Sequence, residues 1–282
     1  MPFYIVQAPA NQLRFEARRS LTGQWGIAWF IGFMYSILLN LPVELFALII
    51  NPSGTNAFTD LYKELMSNPT APINMDRMMD AYQTLGVQTT PSVIYALLVS
   101  GAITIGLVTF ALNVIRGFRA DQHMIFSGFE RFGKAFVTYL LISIFTALWS
   151  CLCIVPGIIA AFRYSQAFYY LADNPELSPL EAINLSKQAM KGNKMKLFCL
   201  YLSFIGWMIL AYVPAYALSS ILTYTGAPAF INIITTIISA AAFGLVYSYR
   251  EVAIANFYLI INGLKPGMIP TGPYANRVNQ QQ

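Results

Sequence analysis

Few of the 282 residues have the types from which chemistry is built, and most of those stand alone. Glu44 and Arg163 are the two charges that fall inside long apolar runs, where an ionised group is costly enough to ask for a partner. Glu44 lies six residues before the end of the first run at Ile50, and Arg163 lies six residues past a turn at Pro156-Gly157. At 1.5 Å of helix per residue, both sit about 9 Å below the same outer surface. Their spacing therefore allows a direct pair. Asn40, Ser165, Gln166 and Asn232 fall in the same zone and would line an outer polar pocket with them. Three readings follow: a structural ion pair that fixes helix packing, a ligand or ion site, and two side chains that snorkel without pairing.

The remaining reactive residues are sparse. His123 is the single histidine, which excludes multi-histidine metal sites, and its charged surroundings read as a solvated loop. Cys151 and Cys153 would point about 200° apart on a helix, so they read as packing residues and not as a soft-metal pair. With Cys199 the cysteines are odd in number and all lie in apolar runs, which argues against a disulfide framework. No P-loop, HExxH, GxSxG or paired CxxC occurs, so no catalytic residue, metal or cofactor is expected. Tyr164, Tyr169, Tyr170, Tyr247, Tyr249 and Tyr258 read as aromatic belts at membrane interfaces.

The elements that must position these residues are membrane helices. Apolar residues make up 57% of the chain and charged residues 10%, far from the balance of a soluble domain, and the mean hydropathy is +0.56. The net charge of +5 resides in short basic blocks between apolar runs, with no stripe to face a nucleic acid. Six spans are expected, at about 26–50, 92–115, 135–155, 158–172, 197–222 and 229–249. Thr90-Pro91 reads as the start of the second. The fourth is short and carries Arg163, and the basic residues decide it. Fourteen of the 17 lie in segments 1–23, 116–134, 173–196 and 250–282, and all face the cytoplasm only if 158–172 recrosses from a tight outer turn at Pro156-Gly157. Both termini are then inside.

Between the spans, residues 51–91 hold two short stretches of helical spacing and form an outer helical cap. Ser178-Pro179-Leu180-Glu181 is a capping box that opens an inner amphipathic helix over 179–191, with Leu180, Ile183 and Met190 turned to the membrane. Val252–Ile261 either lies at the inner interface or extends the last span, and 263–282 is a loose tail. A weak repeat aligns Arg18–Gln24 with Lys187–Asn193, each a basic helix end followed by glycine, an amide and a span, and Gly133-Lys134 precedes the third span similarly.

From Ala147 to Trp207 the chain carries VPGII, RYS, ADNPELS, EAI, KGNK and LSFIGW, and from Ala17 to Trp29 it reads ARRSLTGQWGIAW. In these motifs and their spacing it resembles the bacterial membrane proteins of the domain-of-unknown-function 975 family. That family commonly has a proline-tyrosine pair ahead of its late Phe-Tyr, whereas here Tyr247-Ser248-Tyr249 stands ahead of Phe257-Tyr258. The resemblance implies a polytopic plasma-membrane protein of Gram-positive bacteria, and it supplies no catalytic residues.

The expected fold is thus an all-α polytopic transmembrane helical bundle of six spans, forming a single membrane domain with an outer cap and an inner amphipathic helix. Its expected role is non-enzymatic binding or movement of an amphipathic molecule, a lipid or a hydrophobic peptide, with membrane lipids and a membrane protein as partners. Alternatively it is a scaffold or immunity-type protein that docks partners through its basic inner loops. Charge sparsity within the spans disfavours a proton pump or channel. An intramembrane enzyme built on Glu44 would lack a visible base or nucleophile.

Overall fold

A computed structural model describes residues 3–50, 66–67, 75–224 and 230–264. Every regular element among them is helical: α1 (Ala10–Ser20), α2 (Trp25–Ile50), α3 (Met75–Ile115), a 3-10 helix (Gln122–Arg131), α4 (Phe132–Leu152), α5 (Ile154–Tyr164), α6 (Ala167–Asp173), α7 (Pro179–Ala189), α8 (Lys194–Tyr224) and α9 (Ile231–Ile261). Among the described residues five stretches are long and apolar enough to cross a membrane: Trp25–Ile50, Thr90–Ile115, Gln122–Leu152, Lys194–Leu222 and Ile231–Ile261. Their outward faces expose large apolar side chains such as Ile49, Leu148, Leu210 and Ile221, as lipid-facing helices do. The all-α bundle is as expected.

The expected fourth span differs. It is two short helices, α5 and α6, interrupted at Ser165-Gln166, with lengths of about 16 Å and about 10 Å. Neither is long enough to cross by itself. The turn before it is one residue, Cys153, in extended backbone, and Pro156-Gly157 belongs to the first turn of α5, where a proline costs no helix hydrogen bond. The chain nonetheless retraces α4. A Cβ on Gly157 would strike Ser150 near the end of α4, while Lys134 Nζ at its start donates to the Pro175 carbonyl at 2.6 Å.

Two other boundaries move. Thr90-Pro91 is interior to α3, so residues 75–91 of the expected cap continue the second span instead of forming a separate helix. Residues 51–65 and 68–74 of the cap, and 265–282 of the tail, lie outside the described residues. The last helix runs twelve residues past the expected end at Tyr249. Arg250 and Glu251 approach to 3.6 Å and the helix carries on through them, so of the two expectations for Val252–Ile261 it is the extension of the last span that holds. From Ser248 to Ile261 every residue but Arg250 is buried, so this half of α9 is a helix enclosed on all sides. It packs against α1, α2, α3 and α8.

The bundle has two unlike ends. Arg18 Nη2 reaches Tyr249 Oη at 3.4 Å, Arg116 pairs with Asp173 at 2.7 Å, and Arg131 Nη1 donates to the Ala172 carbonyl at 3.5 Å. These contacts gather the basic segments around the buried half of α9. Toward the other end the helices are less enclosed. The antiparallel α2 and α9 cross very closely between them: a Cβ on Gly32 would overlap the Gly244 carbonyl, Trp29 Nε1 donates to the Ala241 carbonyl at 2.9 Å, and the Ser248 hydroxyl donates to Ala28 O.

The local repeat has a structural counterpart. α1 and α7 both end in a turn closed by a left-handed glycine, Gly23 (φ +82°) and Gly192 (φ +80°). The following amide in each accepts from a distant backbone N–H: Ala120 N to Gln24 Oε1 at 2.7 Å, and Val6 N to Asn193 Oδ1 at 2.9 Å. Gly133 lies within α4 and does not repeat this geometry. The Ser178–Glu181 capping box forms as expected, but Ile183 and Met190 are buried inside the protein, and Ile183 packs with Ala160, Tyr164 and Ala167.

Candidate functional site: a polar groove between three helices

Serine, asparagine and glutamate at positions 36, 40 and 44 recur every fourth residue, which puts them on one face of α2. That face looks onto α8 and α9. α8 contributes Tyr212, Tyr216 and Ser219; α9 contributes Asn232, Thr235, Thr236, Ser239, Phe243 and Tyr247. Together they enclose a groove of about 540 Å³, within the usual size of a small-ligand site.

Hydrogen bonds within the helices occupy three of the donors that line the groove. Ser239 Oγ donates to Thr235 O at 2.7 Å, Thr235 Oγ1 donates to Asn232 O at 2.9 Å, and Asn40 Nδ2 donates to Ser36 O at 2.8 Å. Each of these donors is spent on its own helix, leaving oxygen lone pairs for the cavity. Glu44 adds a carboxylate, and among the described residues it has no ion-pair partner. Among the described residues no basic side chain lines the groove. Tyr212 stacks on Tyr216 with centroids 5.5 Å apart, and Phe243 stacks on Tyr247 at 5.6 Å, so aromatic rings form much of the wall.

Tyr247 closes the groove toward the basic end. Beyond it the Arg250 guanidinium lies 5.1 Å from the Tyr247 ring centre and 5.8 Å from that of Tyr201. Glu251 is buried, faces Arg250, and accepts from Tyr169 Oη at 2.6 Å. Tyr169 stacks on Tyr258 at 5.3 Å, and Tyr258 Oη donates to Asp173 Oδ2 at 3.2 Å.

A second cavity, of about 410 Å³, lies between α4 and α5 and is lined by Ser143, Thr146, Ser150 and Ser165 among apolar neighbours. Thr146 Oγ1 is buried there without a partner.

The expected pocket is therefore divided. Asn40, Glu44 and Asn232 come together in the first groove, Ser165 lines the second, and Gln166 is fully buried at the break between α5 and α6. There the Gln166 backbone N–H donates to Ser186 Oγ at 3.1 Å, and the Ser186 hydroxyl donates to the Arg163 carbonyl at 2.9 Å, so α7 pins the break. The expected Glu44–Arg163 pair does not form. α2 packs on α3 and α9, whereas α5 packs on α4, α7 and α8. Equal depth in the bilayer does not make two helices neighbours. His123 is exposed in the first turn of the 3-10 helix, and the three cysteines are free and exposed. Cys153 is not helical, so the angular reasoning applied to it does not hold.

Sequence reasoning misses Ser36, Tyr212, Tyr216, Thr235, Ser239 and the Arg250–Glu251–Tyr169 cluster. The first five carry a readable signal, polar or tyrosine residues at helical spacing within apolar spans. The cluster carries less, since Tyr169 comes from a segment 82 residues away.

No curated protein and no solved structure matches the chain. Residues 152–265, which include α5 to α9 and with them two of the three walls of the groove, match a family described as a protein of unknown function, DUF975.

Proposed function

We propose that the protein binds or moves an amphipathic molecule, a lipid or a hydrophobic peptide, in the groove between α2, α8 and α9, without catalysing a reaction on it. One observation carries this reading: three apolar helices each turn a polar stripe toward the same cavity of about 540 Å³. Polar groups inside a membrane bundle are costly unless they meet each other or a ligand. The groove is lined by both polar groups and aromatic rings, which suits a molecule with a headgroup and an apolar body.

The basic end is assigned to the cytoplasm of a bacterial plasma membrane, with both termini on that side. The return of α5 and α6 along α4 supports a sixth crossing made by two short helices packed within protein. A second reading, partner docking at the basic end, is favoured by the exposed Phe126, Phe129 and Phe132, whose rings follow one another at 6.3 and 6.4 Å.

The test is native mass spectrometry of the full chain released from nanodiscs made with lipid extract. A retained amphiphile is expected in the wild type and lost in Ser239→Leu and Asn232→Leu, which fill the groove, with melting unchanged. Equal retention in all three proteins would refute the groove as the site.

A further inference from the structure

We infer that the groove between α2, α8 and α9 selects amphiphiles with a cationic headgroup, an amine or a quaternary ammonium, over neutral ones. This rests on the groove being an amphiphile site and adds the sign of its ligand. Glu44 provides the single formal charge among the described residues of the lining. The hydroxyl of Ser239, that of Thr235 and the amide NH₂ of Asn40 are donated to carbonyls of their own helices, so what they offer the cavity is oxygen. An anionic headgroup would meet Glu44 with no arginine or lysine among the described lining residues to offset it.

The rings point the same way. The Tyr212–Tyr216 stack stands in the wall, and the negative face of an aromatic ring attracts a cation. At the closed end, Tyr247 already has the Arg250 guanidinium 5.1 Å from its ring centre, so one cation held by this ring is part of the fold itself. Arg250 is in turn opposed by Glu251 at 3.6 Å, which limits the positive potential that reaches the cavity. A trimethylammonium or a primary amine on an apolar body would place its charge near Glu44 and its chain toward the lipid-facing side of the helices.

Full-length protein in uncharged dodecyl maltoside is titrated with hexadecyltrimethylammonium and, as matched neutral probe, hexadecyl glyceryl ether. Bound adducts are counted by native mass spectrometry. The ammonium probe is expected to bind about tenfold more tightly, the size of a partly desolvated cation–carboxylate and cation–ring contact. Glu44→Gln is expected to remove that preference while leaving the neutral probe bound. The double change Tyr212→Leu with Tyr216→Leu is expected to reduce it, and decides the matter if Glu44→Gln does not fold. Equal binding of the two probes to the wild type, or an undiminished preference in the folded variants, would overturn the inference and leave amphiphile binding standing. Saturable binding of neither probe would overturn both.

Discussion

The Tyr169 hydroxyl donates to the Glu251 carboxylate at 2.6 Å, joining the short helix α6 to the enclosed half of α9. Both side chains are buried, and Arg250 stands 3.6 Å from the same carboxylate. The contact ties the segment that interrupts the regular bundle to the helix at its centre.

Tyr169→Phe leaves the ring stack on Tyr258 in place and removes one donor from a buried carboxylate. A buried acceptor left unsatisfied costs about 1–3 kcal/mol, more where it is charged. The variant is expected to melt lower, and the loss is expected to shrink in a Glu251→Gln background. A double-mutant cycle in thermal unfolding measures the coupling; additive losses would mean that the hydroxyl and carboxylate do not act together.

The crossing of α2 and α9 predicts a sharp contrast between two glycines of one helix. A Cβ on Gly32 would meet backbone, the Gly244 carbonyl, which has no flexible end to swing away. A Cβ on Gly26 meets nothing within 4 Å. Gly32→Ala is expected to cost about 1–3 kcal/mol or more through overpacking, whereas Gly26→Ala is expected to be neutral. Comparable melting of both variants would show that the two helices can separate at no cost.

What was legible in the sequence follows the physics of each signal. The helices α2, α4 and α8 announce themselves by unbroken apolar length, and the Ser178–Glu181 box by purely local hydrogen bonding, so each lies close to its expected bounds. The end of the last span was harder to read because Arg250 and Glu251 find company inside the protein, and two of their neighbours, Tyr169 and Tyr201, come from far along the chain. Half of the expected pocket was found for a similar reason. Asn40, Glu44 and Asn232 share a cavity because α2 and α9 pack together, while Ser165 and Gln166 are on helices that pack elsewhere. Depth is written in a sequence; which helix neighbours which is not.

The capping box gives a pH dependence. Hydrogen bonds from the Ser178 backbone N–H and hydroxyl hold the Glu181 carboxyl below the usual glutamate range. Because its folded value lies below its unfolded one, its contribution is fully present above the unfolded pKa and is lost as the pH falls through the folded one. Amide exchange at residues 180–184, corrected for intrinsic rates, is expected to accelerate across that acid window in the wild type. Ser178→Ala should accelerate it at neutral pH too and flatten the response. A pH response unchanged by Ser178→Ala would show that membrane packing holds α7.

Sidedness is tested by single cysteines in a background lacking Cys151, Cys153 and Cys199. Gly157 and Ile154 lie at the end of the bundle opposite Lys191. Cysteines at 154 and 157 are expected to react with an impermeant maleimide on intact cells, and one at 191 only after permeabilisation. Labelling of position 191 from outside would reverse the assignment of the basic end to the cytoplasm.

Glu44 and Arg163 provide the last prediction. They lie on α2 and α5, which share no extensive interface, and Glu44 faces a groove whose described lining does not include Arg163. Residues without shared partners have effects that add within about 0.3–0.5 kcal/mol. Glu44→Gln and Arg163→Gln are therefore expected to combine additively in melting, and the charge exchange, Glu44→Arg with Arg163→Glu, to rescue nothing. Only Glu44→Gln should alter amphiphile retention, since it alone changes the lining. A double variant markedly more stable than the sum of the singles would mean that the two charges do meet, through a rearrangement that brings α5 to the groove.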